Sequence, residues 1–533
     1  MTPPLTLEEF PPVSTADWDA AILKDQKGIA PKTKLYYRAE DLAGLEYLES
    51  APGEFPYTRG TRADNNWRIR EVVHNAAEAR AALAAGADEI AFVLGDQDIR
   101  EVLRALPDGP VHFEAGERAA ELLAAMASGR AGSVDFEPLA DFERAAELVR
   151  SHRRPDFKSI AVRAHRFAEA GATAVQELAF ALAEGVEILA HIPDAAPSMA
   201  FAFSTGPAYF IEIAKLRAAR TLWARVVESF GGNADAARMT ICARTAHWTK
   251  TVYDPHVNLL RATTEAMAAA IGGADSIQVE PFDETYRRPG DVSRRLARNT
   301  QLILKREAWL DRTVDAAGGS YYLEALTDSI AREAWTLLQQ IEAAGGFVQY
   351  PVDTEIAKSR AARDSAAATR RAPIVGTNQY PNPQEHMLGE IQRIDLAPRP
   401  SRIFEEIRLR TERHGRAPKV LLLESGDLKM RKARSGFAAN FFGCAGFAIE
   451  IADTIAGDPD LVVLCSSDPE YAALAPRVIQ ELRGARKSTP VIVAGNPADS
   501  IEQLKEAGVA DFIHVRSNAA EVLRTWQGKL GVK

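Results

Sequence analysis

Short apolar runs separated by helix-length amphipathic stretches recur along this chain in two blocks, and that alternation limits the folds open to it more than any other feature. Between about Gly53 and Arg371 the runs are Ile90–Gly95, Val111–Gly116, Ser159–Ala164, Gly185–Ile192, Met239–Arg244 and Ser276–Phe282. Each is short, apolar or β-branched, and followed by a helical pattern. One such helix is explicit: Leu326, Ile330, Ala334, Leu337, Leu338 and Ile341 recur at three- and four-residue steps with charged residues between them. Repeated strand–helix units build a parallel sheet covered by helices. Six strands over this length predict a TIM-type (β/α) barrel in which two strands remain unassigned. A doubly wound open sheet is the alternative on pattern alone.

The second block holds Lys419–Ser425, Phe447–Asp453, Leu461–Ser467, Pro490–Asn496 and Asp511–Arg516. Five strands with helices between them predict a flavodoxin-like, doubly wound α/β domain over 418–533. Its ligands would sit beyond the carboxyl ends of the strands. The Pro-, Asn- and Gly-rich stretch from 372 to 417 reads as a linker. The first fifty residues read as an N-terminal arm, extended over the first thirty or so, which leaves 51–371 for the barrel.

Several functions are disfavoured by composition. The net charge of −9 is spread along the chain without the basic stripe of a nucleic-acid binder. The three cysteines, Cys242, Cys444 and Cys465, are too scattered for a disulfide framework or a zinc site. The acidic, Pro-rich start has no signal-peptide pattern, and the longest uncharged run, between Asp194 and Glu212, is too short to span a bilayer. A cytoplasmic location is the expectation.

Local chemistry is sparse. No Walker loop, H-E-x-x-H, G-x-S-x-G or G-x-G-x-x-G occurs. His165, His191 and Arg244 end predicted barrel strands, where side chains turn towards the mouth. Lys215, Arg217, Arg220 and Arg225 share one predicted helix, as a solvated or partner-facing side or as a site for acyl-CoA phosphates. Lys429, Arg431, Lys432 and Arg434 follow the first strand of the second block. There an ordinary charged helix face competes with an anion site.

Six segments, in order, resemble the methylmalonyl-CoA mutase family over nearly the whole chain: Pro52–Gly60, Glu169–Leu189 (EAGAT and onward, a helix with a following strand), Phe210–Val227 (KLRAAR-x-LWA), Asp291–Leu304, Gly318–Trp335 and Ala372–Tyr380. The resemblance implies a barrel that encloses an acyl-CoA and a C-terminal domain that presents adenosylcobalamin to its mouth. It also implies a radical interconversion of methylmalonyl-CoA and succinyl-CoA, in which the cofactor supplies the hard chemistry.

The departures from that family pattern set the expected role. Cobalamin-binding members carry Asp-x-His-x-x-Gly after the first C-terminal strand, with a Lys nearby. Here Leu428, Met430 and Ala433 stand at the Asp, His and Gly positions, and Glu424 stands at the Lys position. Ser466-Ser467-Asp468 replaces Ser-x-Leu, and Ala494-Gly495 replaces Gly-Gly. The catalytic Tyr-His pair is His165-Arg166 here. The segment between Gly116 and Ser159 is trimmed where family members line the CoA channel, which puts acyl-CoA binding by this chain in question.

These changes predict a chain with no catalytic, cofactor-binding or metal-binding residue of its own. It would be the small subunit of a heterodimer whose large, catalytic chain holds the adenosylcobalamin. The alternatives are a self-sufficient mutase acting on another branched acyl-CoA, and a protein that assembles or protects a mutase.

Overall fold

The structure, a computed structural model, describes residues 13–25, 34, 36–126, 129–393, 395–485 and 488–533. A nine-segment parallel sheet forms the first unit. Two of its segments, Phe157–Lys158 and Ile160–Val162, are one strand interrupted at Ser159. The first half pairs with Gly132–Val134 and the second with Met199–Thr205, so the sheet closes into an eight-stranded barrel. The remaining strands are Arg68–Val73, Glu89–Val93, Val111–Glu114, Ile241–Thr245 and Ser276–Gln278. The first strand pairs with both the second and the eighth.

The barrel's outward residues explain its stability. Phe201, Phe203, Ile241, Ala243 and Ile277 are buried against the surrounding helices, the ordinary hydrophobic drive for a covered parallel sheet. The helix Tyr321–Ala343 buries Ile330, Ala334, Leu338 and Ile341, the stripe expected from spacing.

One expected strand is a helix. Gly185–Ile192 is the last part of the helix Ala174–His191, which starts at a Thr173/Gln176 capping box. Gly185 is required there by space: a Cβ would lie 2.6 Å from the Trp223 ring. Three strands went unassigned, Arg68–Val73, Gly132–Val134 and Met199–Thr205. The last lies within the uncharged run noted in the sequence.

The second unit is a five-stranded parallel sheet of Ala448–Ala452, Lys419–Glu424, Leu461–Cys465, Val491–Ala494 and Phe512–Ile513, in that spatial order. That is strand order 2-1-3-4-5, the flavodoxin-like winding. The segment read as a linker contains the helix Arg402–His414. Its Phe404 and Ile407 belong to the core of the second sheet, while its Glu405 accepts from the Val252 N–H at 2.9 Å and its Glu412 from the Tyr253 hydroxyl at 2.6 Å. The amphipathic pattern of this helix is dense in charge, which concealed it. The N-terminal stretch expected to be extended includes the helix Thr15–Asp25, and residues 1–12 and 26–33 of it lie outside the described residues. No helix among the described residues is long and apolar enough to cross a membrane.

Candidate functional site

Barrel lumens are usually filled by branched aliphatic side chains. This one is small and polar, then bridged by ion pairs. Arg70 on the first strand donates from Nε and Nη2 to Glu89 Oε2 at 3.1 Å, and from Nη2 to Cys242 Sγ on the seventh strand at 3.2 Å. His112 Nδ1 meets Ser133 Oγ at 2.8 Å. Burial, with Arg70 and Arg244 nearby, holds the His112 imidazole well below its usual range, so it is neutral.

The C-terminal mouth is spanned as well. Arg244 on the seventh strand reaches Glu114 on the third, across the barrel, at 3.1 Å. It also faces Glu280 at 3.5 Å. His165 lies beside it, with Nδ1 3.3 Å from the Ala202 carbonyl and Nε2 3.5 Å from Arg244 Nη1. Burial and the Arg244 charge push His165 well below its ordinary range. A neutral ring that donates from Nδ1 and accepts at Nε2 satisfies both neighbours. Arg166, singled out in the sequence beside His165, is engaged with Glu137 at 2.6 Å and the buried Glu184 at 2.9 Å. Both of its terminal nitrogens thus bond to carboxylates of the scaffold.

Other sequence candidates fall elsewhere. His191 ends a helix rather than a strand, and its ring stacks on Phe142 at 3.9 Å away from the mouth. Of the four cations on the helix Tyr209–Ser229, three are buried. Lys215 lies 2.5 Å from Glu177 and 2.6 Å from Glu212. Arg217 binds Asp315 and Glu324, both at 2.9 Å. Arg220 donates to the carbonyls of Tyr57, Gly272 and Thr58, and burial without a paired carboxylate lowers its pKa to about 10. These three are clamps between barrel elements, neither a solvated side nor a phosphate site. Arg225 alone is partly exposed and pairs with Glu228 at 3.1 Å.

The second unit carries the positions of most interest. The strand Lys419–Glu424 is followed after three residues by the helix Leu428–Gly443, capped by Asp427, whose carboxylate accepts from the Met430 N–H at 2.8 Å. Leu428, Met430 and Ala433 therefore occupy the first two turns of a helix. Leu428 is exposed, Met430 half-buried, and neither presents a nitrogen for an axial bond to cobalt. Glu424 accepts from Lys432 Nζ and Ser435 Oγ, both at 2.6 Å. Burial would raise its pKa, and these bonds together with the cationic neighbours more than offset that, leaving it below the usual range. Of the four helix cations, Lys432 and Arg434 are matched by Glu424 and Asp468.

Glu470 closes the cleft between the ends of the first and third strands. It accepts from Ser466 Oγ and Ser467 Oγ at 2.6 Å and from the Ser467 N–H at 3.1 Å. It also accepts from the Asp427 N–H at 3.2 Å. The serine hydroxyls and then the two backbone donors hold its pKa down to about 2. The Ser467 contacts form a capping box, but the bond to Asp427 joins a different loop. Gly426 has φ +75°, and a Cβ there would lie within 2.4 Å of the Glu470 carboxylate. The Tyr471 hydroxyl accepts from the Ser466 N–H at 3.0 Å and donates to the Ala494 carbonyl at 2.7 Å, lacing the third strand to the fourth. Gly495 leaves room for Asp468, whose Oδ1 would be 2.9 Å from a Cβ there.

The lumen pairs and Glu470 are the residues that sequence reasoning missed. Charges in the otherwise apolar strand RIREVV and the S-x-x-E spacing of Ser467 and Glu470 were the available signals.

The methylmalonyl-CoA mutase family model matches residues 134–430. The chain is 38% identical to the methylmalonyl-CoA mutase small subunit of Porphyromonas gingivalis and 33% identical to that of Streptomyces virginiae, each match covering 98% of both chains. It is also 32% identical to the Streptomyces virginiae large subunit over 73% of this chain and 63% of that one. The first alignment runs over 618 positions against a chain of 533 residues, so that relative carries segments absent here.

Proposed function

The chain belongs to the methylmalonyl-CoA mutase family, and from that premise we propose that it is the small, non-catalytic subunit of a two-chain mutase. In this reading a homologous large chain binds adenosylcobalamin and acyl-CoA and interconverts methylmalonyl-CoA and succinyl-CoA, while this chain supplies a matching surface that stabilises it.

The observation that carries the reading is the first helix of the second unit. Leu428 and Met430 stand in its first turn, and Glu470 ties the neighbouring loops together where a cofactor tail would have to enter. A cobalt centre needs a strong axial donor fixed by a polar second partner. A thioether beside an aliphatic side chain offers neither, so the residues present do not fit the cofactor. The barrel lends support, because Arg70–Glu89 and Arg244–Glu114 lie across the path a linear acyl-CoA would follow through the lumen.

Co-expression with a mutase large chain that keeps the Asp-x-His-x-x-Gly loop tests the proposal. The two should co-elute at equal stoichiometry through size exclusion, with all cobalamin accounted for by the large chain. Turnover by the small chain alone would refute it.

A further inference from the structure

The geometry points to Lys158 as a lysine-acylation site that takes its acyl group from a small acyl phosphate drawn into the cavity at the amino-terminal end of the barrel. That cavity measures about 970 Å³ and is rimmed by residues that begin strands, Arg68 and Gly132, or directly precede them, Thr240 and Asp275. Five arginines and four carboxylates line it beside Lys158, and each carboxylate pairs with an arginine, which leaves Arg68, 3.6 Å from Glu89, as the cation that favours an anionic reagent once Lys158 is neutral.

Lys158 sits in the wall of the cavity, where its ammonium donates to the Pro197 carbonyl, Nζ–O 2.6 Å. The fully buried lysines of the barrel are different. Lys215, Lys250 and Lys305 each meet a carboxylate, Glu177, Glu265 and Asp88 respectively. Among the described residues Lys158 forms no such ion pair. Burial is the main influence that loosens its proton and Arg68 adds to it, while Asp275 acts in the opposite sense. The result is a lysine with more free amine than an exposed one, facing a space large enough for a reagent.

The step balances without another partner. The neutral ε-amine attacks the carbonyl carbon of the acyl phosphate, an N–C amide bond forms, and the C–O bond to phosphate breaks. Inorganic phosphate leaves with the electron pair, and the amine proton passes to water. The product is uncharged, so the cavity loses one positive charge.

Incubating the full chain with acetyl phosphate and measuring acetylation of each tryptic peptide by mass spectrometry tests the proposal. Lys158 should be acetylated ahead of the exposed Lys419 and Lys529. Added inorganic phosphate should protect Lys158 while leaving those two unchanged. Arg68→Gln should slow Lys158 alone, with circular dichroism confirming that the variant is folded. Lys158 trailing the exposed lysines, or showing no protection by phosphate in the unaltered chain, overturns the assignment.

Discussion

Replacing Arg70 by methionine isolates what the lumen ion pair does. Arg70 and Glu89 are 4% and 1% exposed, and three hydrogen bonds from the guanidinium end on Glu89 and Cys242. Removing one member of such a pair leaves a buried charge uncompensated, at a cost of about 3–5 kcal/mol. Arg68 Nε stands 3.6 Å from the same Glu89 oxygen, so a cation remains within reach. The lower end, about 3 kcal/mol at pH 8, is therefore expected for Arg70→Met. The double variant Arg70→Met/Glu89→Leu removes both charges and should lie within about 1 kcal/mol of the unaltered chain or above it. Urea unfolding of the three proteins at pH 8, followed by tryptophan fluorescence, reads both differences. A single variant that loses less than about 1 kcal/mol at pH 8 refutes the reasoning.

Three further outcomes follow from particular residues. Glu470 is held at about 2, so it stabilises the second unit above the unfolded carboxyl range and that contribution fades as pH falls from roughly 4.3 towards 2. Glu470→Gln should flatten that acid limb in a Trp526 fluorescence titration, and an unchanged limb would count against the role assigned to it. Gly426→Ala introduces a left-handed alanine beside the Glu470 carboxylate and should cost about 1–2 kcal/mol from the backbone alone. Adding Glu470→Ala should recover only the part due to the clash, as thermal melts of the single and double variants would reveal. Gly185→Ala presses a Cβ to 2.6 Å of Trp223 and should cost about 1–3 kcal/mol by overpacking, measured as a drop in Tm. A neutral result there would mean that the two helices separate easily.

Much of the fold was legible because period and punctuation coincide with structure. The five strands of the second sheet are apolar runs bounded by turn residues, and the winding of that domain followed from them. In the barrel, Ile90–Gly95 and Val111–Gly116 read correctly for the same reason. The strand Arg68–Val73 did not, because its inward residue Arg70 is a charge whose partners, Glu89 and Cys242, lie on other strands. Gly185–Ile192 misled for the opposite reason: apolar residues buried all round a core helix mimic a buried strand. Sequence reading singled out Leu428, Met430 and Ala433, and His165 and Arg166, as departures from the family's motifs. What filled the space they left was not legible, since Glu470–Asp427 and Arg244–Glu114 are contacts between residues distant in sequence.

The central claim is that the positions where this family secures cobalt are held here by side chains that cannot do so. The visible spectrum of the isolated chain, mixed with adenosylcobalamin and then desalted, tests it most directly. Corrin absorbance should pass entirely into the small-molecule fraction, leaving the protein colourless. A stoichiometric corrin spectrum retained with the protein would contradict the account.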